Sequence, residues 1–197
     1  MVKGWKNVAI SSIAEILSGG TPSTANIEYW NGSIKWCTPS DITKQKSKYL
    51  YGTEKTISEK GLKESSATLL PEKTILLCSR ATIGEMSIAT SPITTNQGFK
   101  NLVCKDCVHN EFLYYALFPL RPKMIELAIG TTFLEISKTA LGSIRIDIPE
   151  SYEEQFAIAE ALSDIDNLIS SLQKLIEKMC IRDSHLRGGN AARCDCV

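Results

Sequence analysis

The feature that most constrains this chain is a long amphipathic stretch near its end, from residue 151 to about residue 179. Apolar residues recur there at alternating steps of four and three without Pro or Gly, which is typical of a coiled-coil helix. Ser151 and Glu154 form a Ser-x-x-Glu capping box that predicts where the helix begins. The residues expected at the helix interface are Ile158, Leu162, Ile165, Ile169, Leu172 and Ile176, with Leu168 and Leu175 widening the stripe.

Two arrangements could bury this stripe. The helix could pack on its own domain, as surface helices of globular proteins do. It could instead pair with a second long helix and separate two globular domains, and the width of the stripe favours this arrangement. A helix of residues 153–179 would be about 40 Å long.

The remainder of the chain divides around this helix. Short strand-like segments alternate with polar loops and a few short helices through residues 1–150, which predicts a mixed, strand-rich α+β domain. Residues 151–180 form the predicted helix. The heptad fails at Asp183, so we interpret residues 181–197 as an atypical tail, either non-native or disordered.

Composition limits the compartment and the partners. No apolar segment is long enough to span a bilayer and the first residues lack the core of a signal peptide, so we expect a cytoplasmic protein without a membrane partner. Residues 1–150 contain 17 basic and 14 acidic side chains, whereas residues 151–197 contain 5 and 8. Seven lysines concentrate in residues 35–63, which indicates either a solvated loop or a surface that contacts phosphates.

Signatures of catalysis are missing from the sequence. It contains neither a phosphate-binding G-x-x-x-x-G-K-[ST] loop nor a G-x-S-x-G nucleophile elbow. Cys104 and Cys107 form a C-x-x-C near His109, but the second pair that a structural zinc site needs is absent from the domain. Cys37 and Cys78 lie among apolar residues and are predicted to be core thiols. We therefore predict a protein that is not an enzyme and that has no cofactor and no metal site.

A series of short motifs runs along the chain from residue 5 to about residue 179. The motifs lie at residues 18–23, 29–32, 34–36, 40–41, 61–62, 65–67, 70–71, 81–84, 96–99, 130–132, 136–137, 141, 144, 148–149 and 154–159. Each motif is weak alone, but in this order they resemble the target recognition domain of type I restriction-modification specificity subunits.

The resemblance implies a division of labour. The α+β domain would read one half of a bipartite target in double-stranded DNA. The long helix would act as a spacer and would dock methyltransferase (modification) subunits and, through them, the restriction subunit. Methyl transfer and cleavage would belong to those other chains.

Family members usually carry two recognition domains and two spacer helices, whereas this chain has one of each. It would then be either a half-subunit that forms a homodimer through the long helix or the first half of a longer subunit. The alternative function is a non-catalytic protein–protein adaptor that presents a small α+β domain on a coiled coil.

Candidate DNA contacts follow from residue type and from position in polar loops. Lysine side chains contact phosphates, Arg pairs with guanine, and Asn or Gln pairs with adenine. The phosphate candidates are Lys44, Lys46 and Lys48, and the base-edge candidates are Ser23, Asn26, Ser40, Asp41, Arg80, Asn96 and Gln97. The alternative is that residues 19–22 and 96–98 simply build turns. Trp30 and Trp36 are predicted to be core residues.

Overall fold

The computed structural model describes residues 3–45, 47–130 and 134–186 of the 197-residue chain. The strands are β1 Trp5–Ala9, β2 Ala14–Ser18, β3 Trp30–Cys37, β4 Tyr49–Leu50, β5 Lys55–Ile57, β6 Ile75–Cys78, β7 Met86–Ala89, β8 Thr94–Thr95, β9 Phe99–Cys104 and β10 Arg145–Pro149. The α-helices are α1 Ile10–Ile13, α2 Pro39–Gln45, α3 Glu59–Lys63, α4 Asn110–Leu117, α5 Arg121–Glu126, α6 Lys138–Ser143 and α7 Tyr152–Leu186. Residues Ile27–Tyr29 and Phe118–Leu120 form short 3-10 helices.

These strands form three sheets. One has five strands in the order β2-β9-β6-β7-β4, one has three in the order β5-β3-β8, and β1 pairs with β10. Most pairs are antiparallel, whereas β3 with β8 and β4 with β7 are parallel. Mixed sheets with short helices, followed by a long C-terminal helix, confirm the predicted strand-rich α+β class.

The centre of the five-stranded sheet forms the main core. Every residue of β6 and of β7 is buried. Cys37 and Cys78 are fully buried in the same apolar cluster as Phe99, which confirms that they are core thiols. Trp36 is buried in a second cluster, where Trp30 packs edge-on against it with ring centroids 5.0 Å apart.

An Asn-Gly pair commonly forms a tight turn, so the sequence favours a turn at Asn31-Gly32, but the structure has none there. Both residues lie inside β3, at a β-bulge where Trp30 and Ile34 share one partner, Ile57. Asn31 adopts the left-handed conformation, with φ 59°. Gly32 lies so close to Ile57 and its neighbour that a Cβ would collide with their backbone. The pair is therefore used for a bulge and a close approach between strands rather than for a reversal of the chain.

The polar segment after β3 was expected to be a loop, but it forms α2. Thr38 precedes the helix, and its backbone N–H donates to the carboxylate of Asp41 at 2.8 Å. The same carboxylate accepts from the Thr38 hydroxyl at 2.7 Å and from the backbone N–H of Glu54 at 2.9 Å. Asp41 is consequently buried, and it begins the helix in the manner of a capping box.

The chain separates into two compact units, residues 1–156 and residues 157–197. We call the first unit the head. The second consists of the larger part of α7, which continues to Leu186, past the predicted end near residue 179. Residues 187–197 of the predicted tail lie outside the described residues. No helix in the described part of the chain has both the length and the apolarity needed to cross a membrane.

The first turn of α7 belongs to the head, and it is only partly a capping box. The hydroxyl of Ser151 accepts from the backbone N–H of Glu154 at 3.2 Å, as predicted. The Glu154 carboxylate, however, accepts from the indole N–H of Trp5 at 3.0 Å. Gln155 is buried and donates to the carbonyl oxygen of Pro149 at 2.9 Å. The start of the helix is therefore fixed by β1 and β10 as well as by its own backbone.

Candidate nucleic-acid interface

Three polar segments that the sequence placed far apart meet at one place in the head. They are the loop of residues 19–26 after β2, the segment of residues 38–41 after β3, and the loop of residues 96–98 after β8. Because β3 and β8 are parallel neighbours, their carboxyl ends lie at the same edge. Strand β2 is antiparallel to β9, with Ser18 opposite Lys100, so its end meets the start of β9.

Direct hydrogen bonds join these segments. The backbone N–H of Gly20 donates to the carbonyl oxygen of Thr95 at 2.9 Å, and that of Asn96 donates to Cys37 at 3.0 Å. The hydroxyl of Thr21 donates to the side-chain oxygen of Gln97. The three segments therefore form one continuous polar surface, which we call the loop cluster.

Close backbone approach explains the two glycines that open the loop cluster. A Cβ on Gly19 would collide with the carbonyl oxygen of Asn96, and one on Gly20 would collide with Ser66. The carbonyl oxygen of Gly20 also accepts from the buried indole N–H of Trp36 at 3.0 Å. Glycine is required at both positions because the neighbouring loop leaves no room for a Cβ, and not because the chain makes a special turn there.

The amide candidates in the loop cluster use their oxygens within the protein. The side-chain oxygen of Asn26 accepts from the backbone N–H of Glu28 at 3.1 Å, and that of Asn96 accepts from Gly98 at 2.9 Å. Gln97 accepts from Thr21, as described above. Each of these amide groups is held in one orientation and keeps its NH₂ group as a donor.

The serine candidates differ from the amides. Ser23 is exposed, and its carbonyl oxygen accepts from the indole N–H of Trp30 at 3.1 Å. Ser40 is exposed in the first turn of α2. Asp41, its neighbour, accepts from Thr38 through one carboxylate oxygen at the start of α2 and from the backbone N–H of Glu54 through the other. These bonds give Asp41 a structural role, and its contact with a base edge stays a prediction.

The three lysine candidates are not equivalent. Lys44 is exposed and pairs with the exposed carboxylate of Glu54 at 2.9 Å. The hydrogen bond and the charge of Glu54 raise the pKa of Lys44, so it stays cationic. Exposed pairs of this kind are weak and exchange readily for another anion. Lys46 lies outside the described residues.

Lys48 has a structural environment. Its side chain is only 14% exposed and pairs with Glu111 at 2.9 Å. Its ammonium group also lies over the rings of Tyr49 and Tyr115, 4.7 Å and 5.4 Å from their centroids. A partly buried ammonium group with these partners is disfavoured as a phosphate contact, and the predicted role of Lys48 stays a prediction.

Arg80 lies beside the loop cluster and is part of an ion-pair group that sequence reasoning missed. Its Nε donates to Glu135 at 2.7 Å, and the other oxygen of Glu135 accepts from Lys100 at 2.8 Å. These partners are 55 and 35 residues apart in the chain, and no local pattern joins them. A backbone hydrogen bond of 2.7 Å from Ser79 to Gly98 connects Arg80 to the loop that holds Gln97.

The predicted interface on α7 is largely exposed in the single chain. Ile158 and Leu162 are partly buried. Farther along the helix, the large apolar side chains are 47–60% exposed: Ile165, Leu168, Ile169, Leu172, Leu175 and Ile176. A continuous exposed apolar stripe of this kind is typical of surfaces that bind another chain, and its role as an interface stays a prediction.

No group of three or more His, Cys, Asp or Glu side chains within the described residues is arranged to hold a metal ion. Cys104 and Cys107 are free thiols. His109 lies edge-on to the rings of Tyr152 and Phe156, with both centroid distances at 5.4 Å. In this structure His109 therefore packs against the first turns of α7.

Residues 2–179 match a protein-family model described as the type I restriction modification DNA specificity domain. The type I restriction enzyme MjaIX specificity subunit of Methanocaldococcus jannaschii is 42% identical over 185 residues, which cover 91% of this chain and 42% of that protein. The EcoR124I/EcoR124II specificity subunit of Escherichia coli is 28% identical over 175 residues, which cover 85% of this chain and 42% of that protein.

Solved structures share the fold. The HsdS subunit from Thermoanaerobacter tengcongensis has a TM-score of 0.70 at 20% identity and covers 89% of this chain and 40% of that chain. A chain from a study of complex assembly and conformational transition in the type I R-M system has a TM-score of 0.77 at 19% identity. The match covers 94% of this chain and 44% of that chain. This chain spans less than half the length of these relatives.

Proposed function

The chain belongs to the family of type I restriction-modification specificity subunits, and on that premise we propose that its head reads one half of a bipartite target in double-stranded DNA. The observation that carries this proposal is the loop cluster. It gathers Asn96, Gln97 and Ser23 on one surface, with Arg80 beside it. Oriented amide donors and a guanidinium group are the side chains that read base edges in the major groove.

Phosphate contacts would supply most of the affinity. Lys44 is the described lysine candidate that is exposed, and its pair with Glu54 is weak enough to yield to a phosphate. Lys46, two residues farther along, remains a candidate. The head would thus combine a cationic edge along α2 with an uncharged donor surface in the loop cluster.

The long helix would assemble the complex. Its exposed stripe is wide enough to contact a second spacer helix and the helices of methyltransferase subunits together. The second spacer helix would come from another copy of this chain or from a longer subunit. The restriction subunit would join through the methyltransferase subunits.

Catalysis would belong to those partners. The relatives are named specificity subunits, which agrees with the missing catalytic motifs in this sequence. We therefore propose that the chain supplies target choice and assembly, while methyl transfer and cleavage take place on other subunits.

A salt titration of DNA binding tests this function. The full chain, alone and with its methyltransferase subunit, should retard duplex DNA in a gel, and the affinity should fall as salt rises. A non-catalytic adaptor would bind the protein partner without any salt-dependent retardation of DNA. That outcome would replace the DNA-reading proposal with the adaptor alternative.

A further inference from the structure

The ion-pair group of Arg80, Glu135 and Lys100 has a layered arrangement. Lys100, on β9, is the innermost member, with a side chain only 8% exposed. Glu135 is less buried and accepts from Lys100 through one oxygen and from Arg80 through the other. Arg80 is the outermost member, with 43% of its side chain exposed. The charge of Lys100 is thus balanced inside the protein, and the excess positive charge lies on Arg80.

Glu135 stays ionised in this arrangement. Partial burial of its carboxylate acts to raise its pKa, but the hydrogen bonds from Lys100 and Arg80 outweigh burial and lower the pKa below the ordinary value. The carboxylate is therefore a fixed negative charge near neutral pH. A fixed charge held from the inside by Lys100 can orient the group outside it.

The contact at Nε determines which part of Arg80 remains available. A guanidinium group has five N–H donors in one plane. Glu135 occupies the Nε donor, and among the described residues no hydrogen bond engages the two terminal amino groups. Those amino groups form the edge that pairs with two acceptor atoms at once.

The backbone around Arg80 is constrained. The N–H of Thr82 donates back to the carbonyl oxygen of Arg80, which closes a three-residue turn. Ala81, at its centre, has φ 54°, an unfavourable conformation for a residue with a side chain. Ser79 anchors the other side through its bond to Gly98. The turn therefore holds Arg80 beside the loop cluster at a cost in backbone strain.

We propose that Arg80 binds a pair of acceptor atoms on the DNA duplex and that Glu135, anchored by Lys100, is its positioning residue. This inference rests on the proposed function. The acceptors are either two phosphate oxygens or the O6 and N7 atoms of a guanine, because both pairs suit the terminal edge of a guanidinium group. Pre-orienting the long side chain would reduce the conformational entropy lost on binding.

Binding of Arg80→Gln to duplex DNA tests the contact. The full chain, with its methyltransferase subunit, is first used to select bound sequences from 40-base-pair duplexes with a randomised centre. The affinities of the parent and the variant are then measured on the selected duplex and on the unselected pool at several salt concentrations. Arg145→Gln is the matched control, because the Nε of Arg145 is also held by a side chain, that of Asn7, but on β10 outside the loop cluster.

Each outcome has a defined meaning. A loss of about tenfold or more on the selected duplex alone would assign Arg80 to guanine. A uniform loss on all duplexes, with the salt slope reduced by about one, would assign it to phosphate. Binding equal to the parent and to Arg145→Gln would overturn the inference while leaving the proposed function intact. A parent complex that binds no duplex would overturn both.

A double-mutant cycle tests the positioning role of Glu135. Glu135→Gln should weaken binding when Arg80 is present and should change it little in the Arg80→Gln background. Equal losses in both backgrounds would show that Glu135 acts through the fold rather than through Arg80. If the unpaired Lys100 prevents folding, Lys100→Met is combined with Glu135→Gln so that both charges are removed. The effect of this double substitution on binding is then compared with and without Arg80→Gln.

Discussion

Several polar residues of the head find their partners far away in the sequence, and this determines what could be predicted for them. Cys37 and Cys78 were correctly predicted to be buried, because their apolar neighbours are visible locally. The partner of Glu154 was not predicted, because Trp5 lies 149 residues away. Residue type thus gives the chemistry that a side chain can perform, while the tertiary fold selects its partner.

Thiol reactivity should distinguish the core cysteines from the exposed Cys107. Burial raises the pKa of Cys78 to about 11 and raises that of Cys37 as well, so neither forms a reactive thiolate near neutral pH. Cys107 is exposed. Peptide mapping after brief alkylation at about pH 8 should find Cys107 modified and Cys37 and Cys78 intact until the chain is denatured. Rapid labelling of Cys78 in the native protein would contradict the described core.

His109 should make the head sensitive to mild acid. Burial lowers its pKa below the ordinary value, with Lys73 and Lys48 acting in the same direction against Glu111, and its Nδ1 is buried without a partner among the described residues. The unfolded chain therefore takes up a proton first as the pH falls below about 6.5. Stability contributed by the neutral imidazole is present above that pH and is lost as the pH falls towards the lower pKa of the folded state.

Thermal unfolding of His109→Phe measures this effect. The variant keeps a ring against α7 but does not titrate. The fall in Tm between about pH 7.5 and about pH 5.5 should be smaller in the variant than in the parent. An identical fall in both proteins would show that other groups cause the acid sensitivity.

The positions of strands could be predicted more reliably than the turns and bulges within and between them. Strands β6, β9 and β10 coincide with apolar runs that are long enough to show the strand pattern in the sequence. An Asn-Gly pair commonly closes hairpins, so the sequence alone favours a turn at Asn31-Gly32. Only the partner strand shows that it is a bulge, and that information depends on Ile57, 26 residues beyond Asn31.

Substitution of Asn31 tests the bulge. Asn31→Val should destabilise the head by about 1–2 kcal/mol, because a β-branched residue is strained at positive φ. Asn31→Gly is the matched control and should be nearly neutral, since glycine adopts this conformation without strain. Urea unfolding of the three proteins gives the comparison. Equal stability of the valine and glycine variants would argue against the left-handed residue in β3.

Lys44, in the last turn of α2, and Lys48, just after that helix, have opposite expected effects. Lys44→Ala should weaken binding to all duplexes about equally and lower the salt slope by roughly one, with little loss of stability. Lys48→Ala should leave the slope unchanged but destabilise the head by about 1–3 kcal/mol, because Glu111 loses a buried partner. Gel retardation over a range of salt, with thermal unfolding as the stability measurement, separates the two. A lower slope for Lys48→Ala would show that Lys48 is a phosphate contact after all.

For the whole molecule, the sequence indicated a division between a head and a long helix, because the heptad pattern can be recognised without knowing the tertiary fold. The resemblance to the family came from ordered motifs, and close packing explains part of them: Gly19 lies against Asn96 and Gly20 lies against Ser66. What the sequence could not provide is the meeting of loops from different strands, since strand order decides it. The group of Arg80, Glu135 and Lys100 depends on the same tertiary information.

The central claim is that α7 is an assembly surface and not part of the core of the head. Full burial of a large apolar side chain contributes roughly 1.5–3 kcal/mol, so the exposed stripe favours association. Carboxylates at Ile165 and Ile169 would be buried without partners in any such interface, at a cost of several kcal/mol. Ile165→Asp combined with Ile169→Asp should therefore abolish assembly and leave the head folded.

Analytical ultracentrifugation with the methyltransferase subunit, supported by thermal unfolding of each chain, is the most direct test. The parent chain should sediment with the methyltransferase subunit as one larger species. The double variant should sediment separately while its head unfolds at the same temperature as that of the parent. A parent that stays monomeric and does not bind the methyltransferase subunit would contradict the account, as would a double variant whose head no longer folds.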